Sequence, residues 1–309
     1  MGRIACFIIR VRFCTIGVSK VNFYNIFFSE EKIMIAISAE STIDLPKEIL
    51  NKYDIHTVPF TVIMGDKDYL DGEIKNEDLF KFVNMNKILT MTSAVNEYQY
   101  ENHFKTLLKD YDAVIHISLS SKLSSAYTNA CNVASQFDNV YVVDSTTLST
   151  GIALLAIKAC IWASEGKDAK TIKQLLENTK SRVQASFVLD KLDYLYKGGR
   201  CSALSVFGAN LLRIKPQIIL KDGKMQVGKK YVGSFESCAK KYIDDTLKKY
   251  DTFDYTTAFF TYTTTSQSIK DYAIKKLKDV GFKNVYTTTA GSTISSHCGP
   301  NTLGILFVF

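Results

Sequence analysis

No apolar run of about 18 residues occurs in this 309-residue chain, which argues against a membrane-spanning helix. Arg10 and Arg12 interrupt the apolar N-terminal segment and no small-residue cleavage site follows it cleanly, so secretion is not favoured either. The seven cysteines (Cys6, Cys14, Cys131, Cys160, Cys201, Cys238 and Cys298) are scattered, odd in number and never arranged as CxxC. That pattern excludes a zinc ribbon and a disulfide framework, and suits a reduced cytoplasm. Also missing are GxGxxG, GxxxxGK[ST], HExxH and GxSxG, so nucleotide-binding, metalloprotease and hydrolase functions have no motif to stand on. The formal charge is +7, but three of those net charges sit in residues 1–33, where Arg3, Arg10, Arg12, Lys20 and Lys32 face Glu30 and Glu31. No basic stripe interleaved with aromatics runs through the remainder, so a nucleic-acid role has little support.

What is present is ordinary globular composition, 46% hydrophobic and 22% charged, in a chain long enough for two domains. Residues 1–33 read as a leader ahead of the functional start at Met34, with an amphipathic surface segment as the alternative. From Met34 strands and helices alternate, which is the pattern of an α/β fold. The expected strands are Ile35 to Ser38, Ile55 to Ile63, Ala113 to Leu119 and Val140 to Val143. Helices are expected after Pro46, from an Asn76 N-cap through Val83, over Val95 to Lys109, Ser124 to Gln136, Leu148 to Ala163 and Ala169 to Arg182. The helix at Leu148 is apolar on most sides and should be buried.

A second series then begins. Phe187 to Leu189 is a strand and Leu192 to Tyr196 a short helix, followed by the loop Lys197 to Ser205 and a helix through Leu212. Asp222-Gly223 joins Ile214 to Leu220 with Met225 to Val232, the strongest hairpin signal in the chain. A helix over Ser234 to Lys249, a strand over Tyr255 to Tyr262, a helix over Ser266 to Val280, a strand over Asn284 to Thr289 and a terminal strand complete it. The boundary between an N-terminal lobe, 34–180, and a C-terminal lobe, 181–309, is placed near Ser181, with no Gly/Pro/Ser linker to mark it.

The stretch with the most chemical character is Asp112 to Asn132, where Ser118, Ser120, Ser121, Ser124 and Ser125 crowd a strand-to-helix turn. In an open α/β sheet such turns lie where ligands bind, and a helix N-terminus offers free N–H groups to an anion. Serines at such a turn also serve as helix caps and solvated loop, and the residues alone favour that plainer role. Of the four histidines, His56 and His103 read as structural or surface residues and His116 as a satisfied core residue. His297, in a Ser-Ser-His-Cys-Gly-Pro loop, has the polar company of a site.

The serine turn recurs with a set of companions: Ser41 to Pro46, Thr92-Ser93, Leu119 to Ser124, Val143 to Ser145, Lys197-Gly198-Gly199-Arg200, Leu211 to Pro216, and His297 to Pro300 with Leu303-Gly304. In this order the blocks resemble the DegV family, fatty-acid-binding proteins that serve as binding subunits of bacterial fatty acid kinase, over Met34 to Phe309. The resemblance implies two α/β lobes with a ligand tunnel between them and a long-chain fatty acid as ligand, without a cofactor or metal. It implies a carboxylate held by Thr92 and Ser124, with Ser93 and Ser121 as near neighbours and Gly199, Arg200 and His297 as a possible site loop. It implies a fatty acid kinase catalytic subunit as partner. Departures are Glu40, where the family usually has Asp, Ala94-Val95-Asn96 in place of Gln-Pro, and Ser125 and Asn301 at positions often held by glycine.

Such a ligand makes physical sense. About 14 methylenes at about 0.8 kcal/mol each offer on the order of 10 kcal/mol before binding costs, against roughly 1.5–3 kcal/mol for a hydroxyl-to-carboxylate bond. The tail supplies affinity and the head supplies orientation, and neutral hydroxyls hold an anion loosely enough to pass it on. Lys122 and Arg200 are the nearby cations. Two other readings stay open: an enzyme acting alone on a small lipid or metabolite in the cleft, although no base stands beside any serine, and a basic nucleic-acid or membrane-surface module.

Overall fold

The computed structural model describes residues 33–201 and 214–309. The leader and the helix expected through Leu212 lie outside the described residues. Three sheets organise the rest, and the α/β class expected from the sequence is borne out.

The first sheet is parallel, in the order β2-β1-β6-β7, from β1 (Ile35–Glu40), β2 (Ile55–Val58), β6 (Ala113–Ser118) and β7 (Val140–Asp144). β6 is buried at every position, as expected of a parallel strand covered on both faces. The chain leaves β1 toward β2 on one side and returns as β6 on the other, so the carboxyl ends of β1 and β6 flank a topological switch point. A second, mixed sheet has six strands in the order β10-β9-β8-β13-β11-β12: β8 (Val183–Leu189), β9 (Ile214–Lys221), β10 (Lys224–Val232), β11 (Thr257–Tyr262), β12 (Asn284–Thr289) and β13 (Thr302–Val308). The hairpin expected at Asp222-Gly223 joins β9 to β10, and both turn residues have positive φ (52° and 78°).

Between these sheets runs α5 (Thr150–Ser164), which packs on β1 of the first and on β8, β11 and β13 of the second. Its apolar residues on every side are explained by that position. The close approach of β8 to β13 needs a glycine at 304, because a Cβ there would stand 2.5 Å from the backbone oxygen of Ser186. Gly304→Ala is therefore expected to lower stability by about 3 kcal/mol, the upper end for overpacking, measurable by urea unfolding.

Several local expectations are corrected. The strand expected over Ile55 to Ile63 is two strands in different sheets. Pro59, which has no N–H to donate, separates β2 from β3 (Thr61–Met64). β3 pairs with β4 (Lys67–Leu70) and β5 (Met91–Ser93) in a small antiparallel sheet that the sequence reading missed. Asn76 is not the N-cap of α2 (Asn76–Asn86). Lys75 stands there, and the Asn76 amide instead donates to Ala290 O (2.9 Å) and Thr263 O (3.3 Å). The helix before β6, α3 (Glu97–Leu107), starts later than expected because Asn96 and Gln99 form a capping box. His297 is not in a loop. It lies in the last turn of a short helix, α10 (Ser292–Cys298), whose small polar residues conceal it from a reading by periodicity.

Candidate functional site

The turn after β6 forms the floor of a cavity of about 270 Å³. Leu119, Leu123, Ser124 and Ser125 from this turn line it. Facing them are Thr92, Ser93 and Ala94 of β5 and the residues after it, Thr293, Ile294, His297 and Cys298 of α10, and Phe60, Leu148, Arg200 and Met225. Thr92, Ser93, Ser124, Arg200 and His297 thus share one chamber. Ser121 and Gly199 do not line it: the Ser121 N–H donates to Asp144 Oδ1 (3.2 Å), and Gly199 lies one residue before Arg200 with a φ of 72°.

The polar side chains are specifically oriented. Ser124 Oγ accepts from the Ala126 N–H at 3.2 Å, a local side-chain-to-backbone bond across the turn that leads into α4 (Ala126–Ala134), whose N-cap is Ser125. The proton of the Ser124 hydroxyl remains available to a ligand oxygen. Thr92 Oγ1 lies 2.8 Å from His297 Nε2. Burial, joined by the nearby positive charge of Arg200, depresses the His297 pKa to about 4, so the ring is neutral at physiological pH. The buried Nδ1 has no hydrogen-bond partner among the described residues. A buried orphan N–H is rarer than an under-used acceptor, so the network favours the tautomer with its proton on Nε2. His297 then donates to Thr92 and leaves the Thr92 hydroxyl free to donate into the chamber. Arg200 is itself turned back on the chain, with Nη1 donating to Gly198 O at 2.7 Å.

Gly198 is required by this packing, since a Cβ there would stand 2.8 Å from His297 Nδ1. The sequence reading missed Thr293, Leu148, Phe60, Met225 and Ile294 as chamber residues. Only Cys298 carried a signal, through its position beside His297. Its thiol is pushed up to about 12 by burial and by Asp44, so it stays protonated and serves as apolar wall.

A second, tighter cavity of about 30 Å³ lies against the second sheet and shares Leu148, Ile294 and Cys298 with the chamber, so these three side chains stand between the two spaces. The hydroxyls of its threonines are engaged within the protein. Thr261 Oγ1 pairs with Thr150 (2.6 Å) and Thr288 (2.9 Å), Thr263 donates to Gly299 O (2.7 Å) and Thr302 to Cys298 O (2.8 Å). The site therefore joins a hydroxyl-rich compartment to an apolar one. Among the described residues no group of His, Cys, Asp and Glu could hold a metal, and no helix is long and apolar enough to cross a membrane.

Known proteins share this architecture. A DegV domain-containing protein of Caldanaerobacter subterraneus subsp. tengcongensis is 30% identical over 277 residues, covering 88% of this chain and 98% of the relative. A protein of Thermotoga maritima named "Fatty acid-binding protein" is 31% identical over 222 residues, 69% of this chain and 77% of its own length. The crystal structure of DegV from Bacillus subtilis, described as a fatty acid binding protein, superposes with a TM-score of 0.77 at 26% identity, covering 90% of this chain and 99% of that one. The family model described as "Uncharacterised protein, DegV family" matches residues 34–309. The chain belongs to the DegV family.

Proposed function

We propose that this protein is a long-chain fatty-acid carrier that presents the bound carboxylate to a partner kinase for acyl-phosphate formation. The observation that carries the reading is the pairing of the two spaces: a chamber bearing donor hydroxyls beside a mostly apolar slot whose threonine hydroxyls are engaged within the protein. Thr92 and Ser124 donate to the carboxylate, and Ser93, exposed at the chamber wall, supplies a further hydroxyl. The acyl chain runs past Phe60, Leu119 and Met225 and displaces the partition of Leu148, Ile294 and Cys298 to enter the slot. An anion among neutral donors, with Arg200 the one cation among the described residues that line the chamber, is held firmly enough to be oriented and loosely enough to be handed on. In this reading the N-terminal lobe, 34–180, supplies the hydroxyls of Thr92 and Ser124, and the C-terminal lobe, 181–309, supplies most of the slot. The protein acts in the cytoplasm.

The chain carries no phosphate-cradling sequence motif, so we assign the phosphoryl transfer to the partner. The test is mass spectrometry of gently purified protein, followed by incubation with ATP with and without a fatty acid kinase catalytic subunit. A co-purifying long-chain fatty acid, with acyl phosphate formed only when the kinase is present, is the expected result. Protein that neither retains nor binds a long-chain fatty acid would overturn the reading, and turnover of a lipid by the pure chain would replace it with that of a stand-alone enzyme.

A further inference from the structure

Glu40, the last residue of β1, is fully buried outside the chamber and accepts four hydrogen bonds. Its Oε1 receives the Tyr100 hydroxyl (2.6 Å) and the Ser118 hydroxyl (2.6 Å) and lies 3.1 Å from His116 Nε2, and its Oε2 receives the Leu119 N–H (2.9 Å). Burial alone would raise its pKa, but the electrostatic influence of His116 and the hydrogen bonds from His116, Ser118 and Tyr100 outweigh it and hold the carboxyl below its ordinary value. These donors come from two places. Ser118 and Leu119 begin the serine turn that leads to Ser124, and Tyr100 belongs to α3, which follows Thr92-Ser93 through the Asn96 cap. The side-chain amide of Asn129 in α4 makes a second tie between the same parts, donating to Val95 O at 2.8 Å.

We propose that Glu40 is a positioning residue, a buried clamp that fixes the Thr92-Ser93 wall of the chamber against the Ser124 wall. Its bearing on ligand binding rests on the fatty-acid reading above. A carboxylate is suited to this task because it is acceptor-only and can gather donors from two elements at once. Removing one donor loosens one arm, whereas an amide at position 40 would face several donors with a donor of its own.

The experiment therefore uses Tyr100→Phe in the full chain, which keeps the ring in the core and leaves the carboxylate its other three partners. Hydrogen exchange of the ligand-free protein is followed at residues 91–95 and 119–124. Exchange faster by about tenfold in both segments is expected, since the clamp joins them. Faster exchange confined to α3 would overturn the proposal. Palmitate affinity of the folded protein should also fall by about tenfold, and by less in a Thr92→Ala background, because coupled residues are not additive. Equal loss in both backgrounds, or none in either, would reduce Glu40 to a structural residue. If the unmodified protein fails to bind palmitate, the carrier reading falls, while the exchange data still decide whether the clamp exists.

Discussion

Stability is expected to peak near pH 6.5 and to fall on both sides, by several kcal/mol toward acid and by about 2 kcal/mol toward alkali. The acid side follows from three groups. Burial lowers the His103 pKa to about 3, with the neighbouring His116 and His56 adding to it, and lowers that of His297 to about 4, against an ordinary 6.5. A histidine depressed in this way stabilises the fold fully above its unfolded pKa and loses that contribution as the pH falls toward the folded value, about 5 kcal/mol for His103 and about 3 kcal/mol for His297 when complete. Glu40, held below 4.5, adds to the acid loss once its carboxylate is protonated. The alkaline side is due to Asp44, whose pKa burial raises from 3.8 to about 8. Hydrogen bonds from Ser149 and Gly291 counter that rise only in part, and Asp71 adds to it. A carboxyl raised in this way favours folding most at low pH and costs progressively more until about pH 8. Between pH 3.8 and 6.5 two histidines gain while one aspartate loses, so stability climbs; from pH 6.5 to about 8 Asp44 acts alone. Asp44→Asn should retain an acceptor for the Gly291 N–H and abolish the alkaline decline. Thermal denaturation of both proteins between about pH 4 and pH 9 checks this, and a decline that persists in Asp44→Asn would refute the assignment.

The parts of the molecule legible in the sequence are those whose physics is local. β6 and α5 could be read because strands and helices buried on both sides are apolar throughout, and the β9–β10 hairpin because Asp222-Gly223 demands positive φ. The small β4-β3-β5 sheet escaped because its strands have three or four residues, too few for a period, and because Pro59 divides what reads as one continuous apolar run. The chamber was legible only where family resemblance pointed. The contact of Thr92 with His297 spans 205 residues of sequence, and no spacing rule connects the two. Glu40 could be seen as a departure from the family pattern, but its four partners come from β6, α3 and the serine turn and could not be gathered without the fold.

The hydroxyls of Thr92 and Ser124 are expected to matter far more for transfer than for retention. Thr92→Ala or Ser124→Ala removes one donor to the carboxylate, and at about 1.4 kcal/mol per bond each should weaken fatty-acid binding by roughly tenfold, while the acyl chain keeps the ligand in place. Transfer should fall by roughly a hundredfold or more, because a head group displaced by about 1 Å presents its oxygen badly to the incoming phosphoryl group. Each variant should also lose some stability. In Thr92→Ala the His297 Nε2–H loses its acceptor at a half-buried contact, so a stability loss of about 1 kcal/mol accompanies the functional one. In Ser124→Ala only the half-exposed contact with the Ala126 N–H is lost, worth about 0.5–2 kcal/mol. An acyl-side truncation such as Leu148→Ala should show the opposite pattern, changing affinity or chain-length preference while transfer from the bound state is preserved. Fatty-acid affinity, kinase-dependent acyl-phosphate formation and thermal stability measured on all three variants separate these outcomes. Alanine variants that lose only stability, with binding and transfer by the folded fraction unchanged, would mean that both hydroxyls are structural and that the carboxylate is held elsewhere.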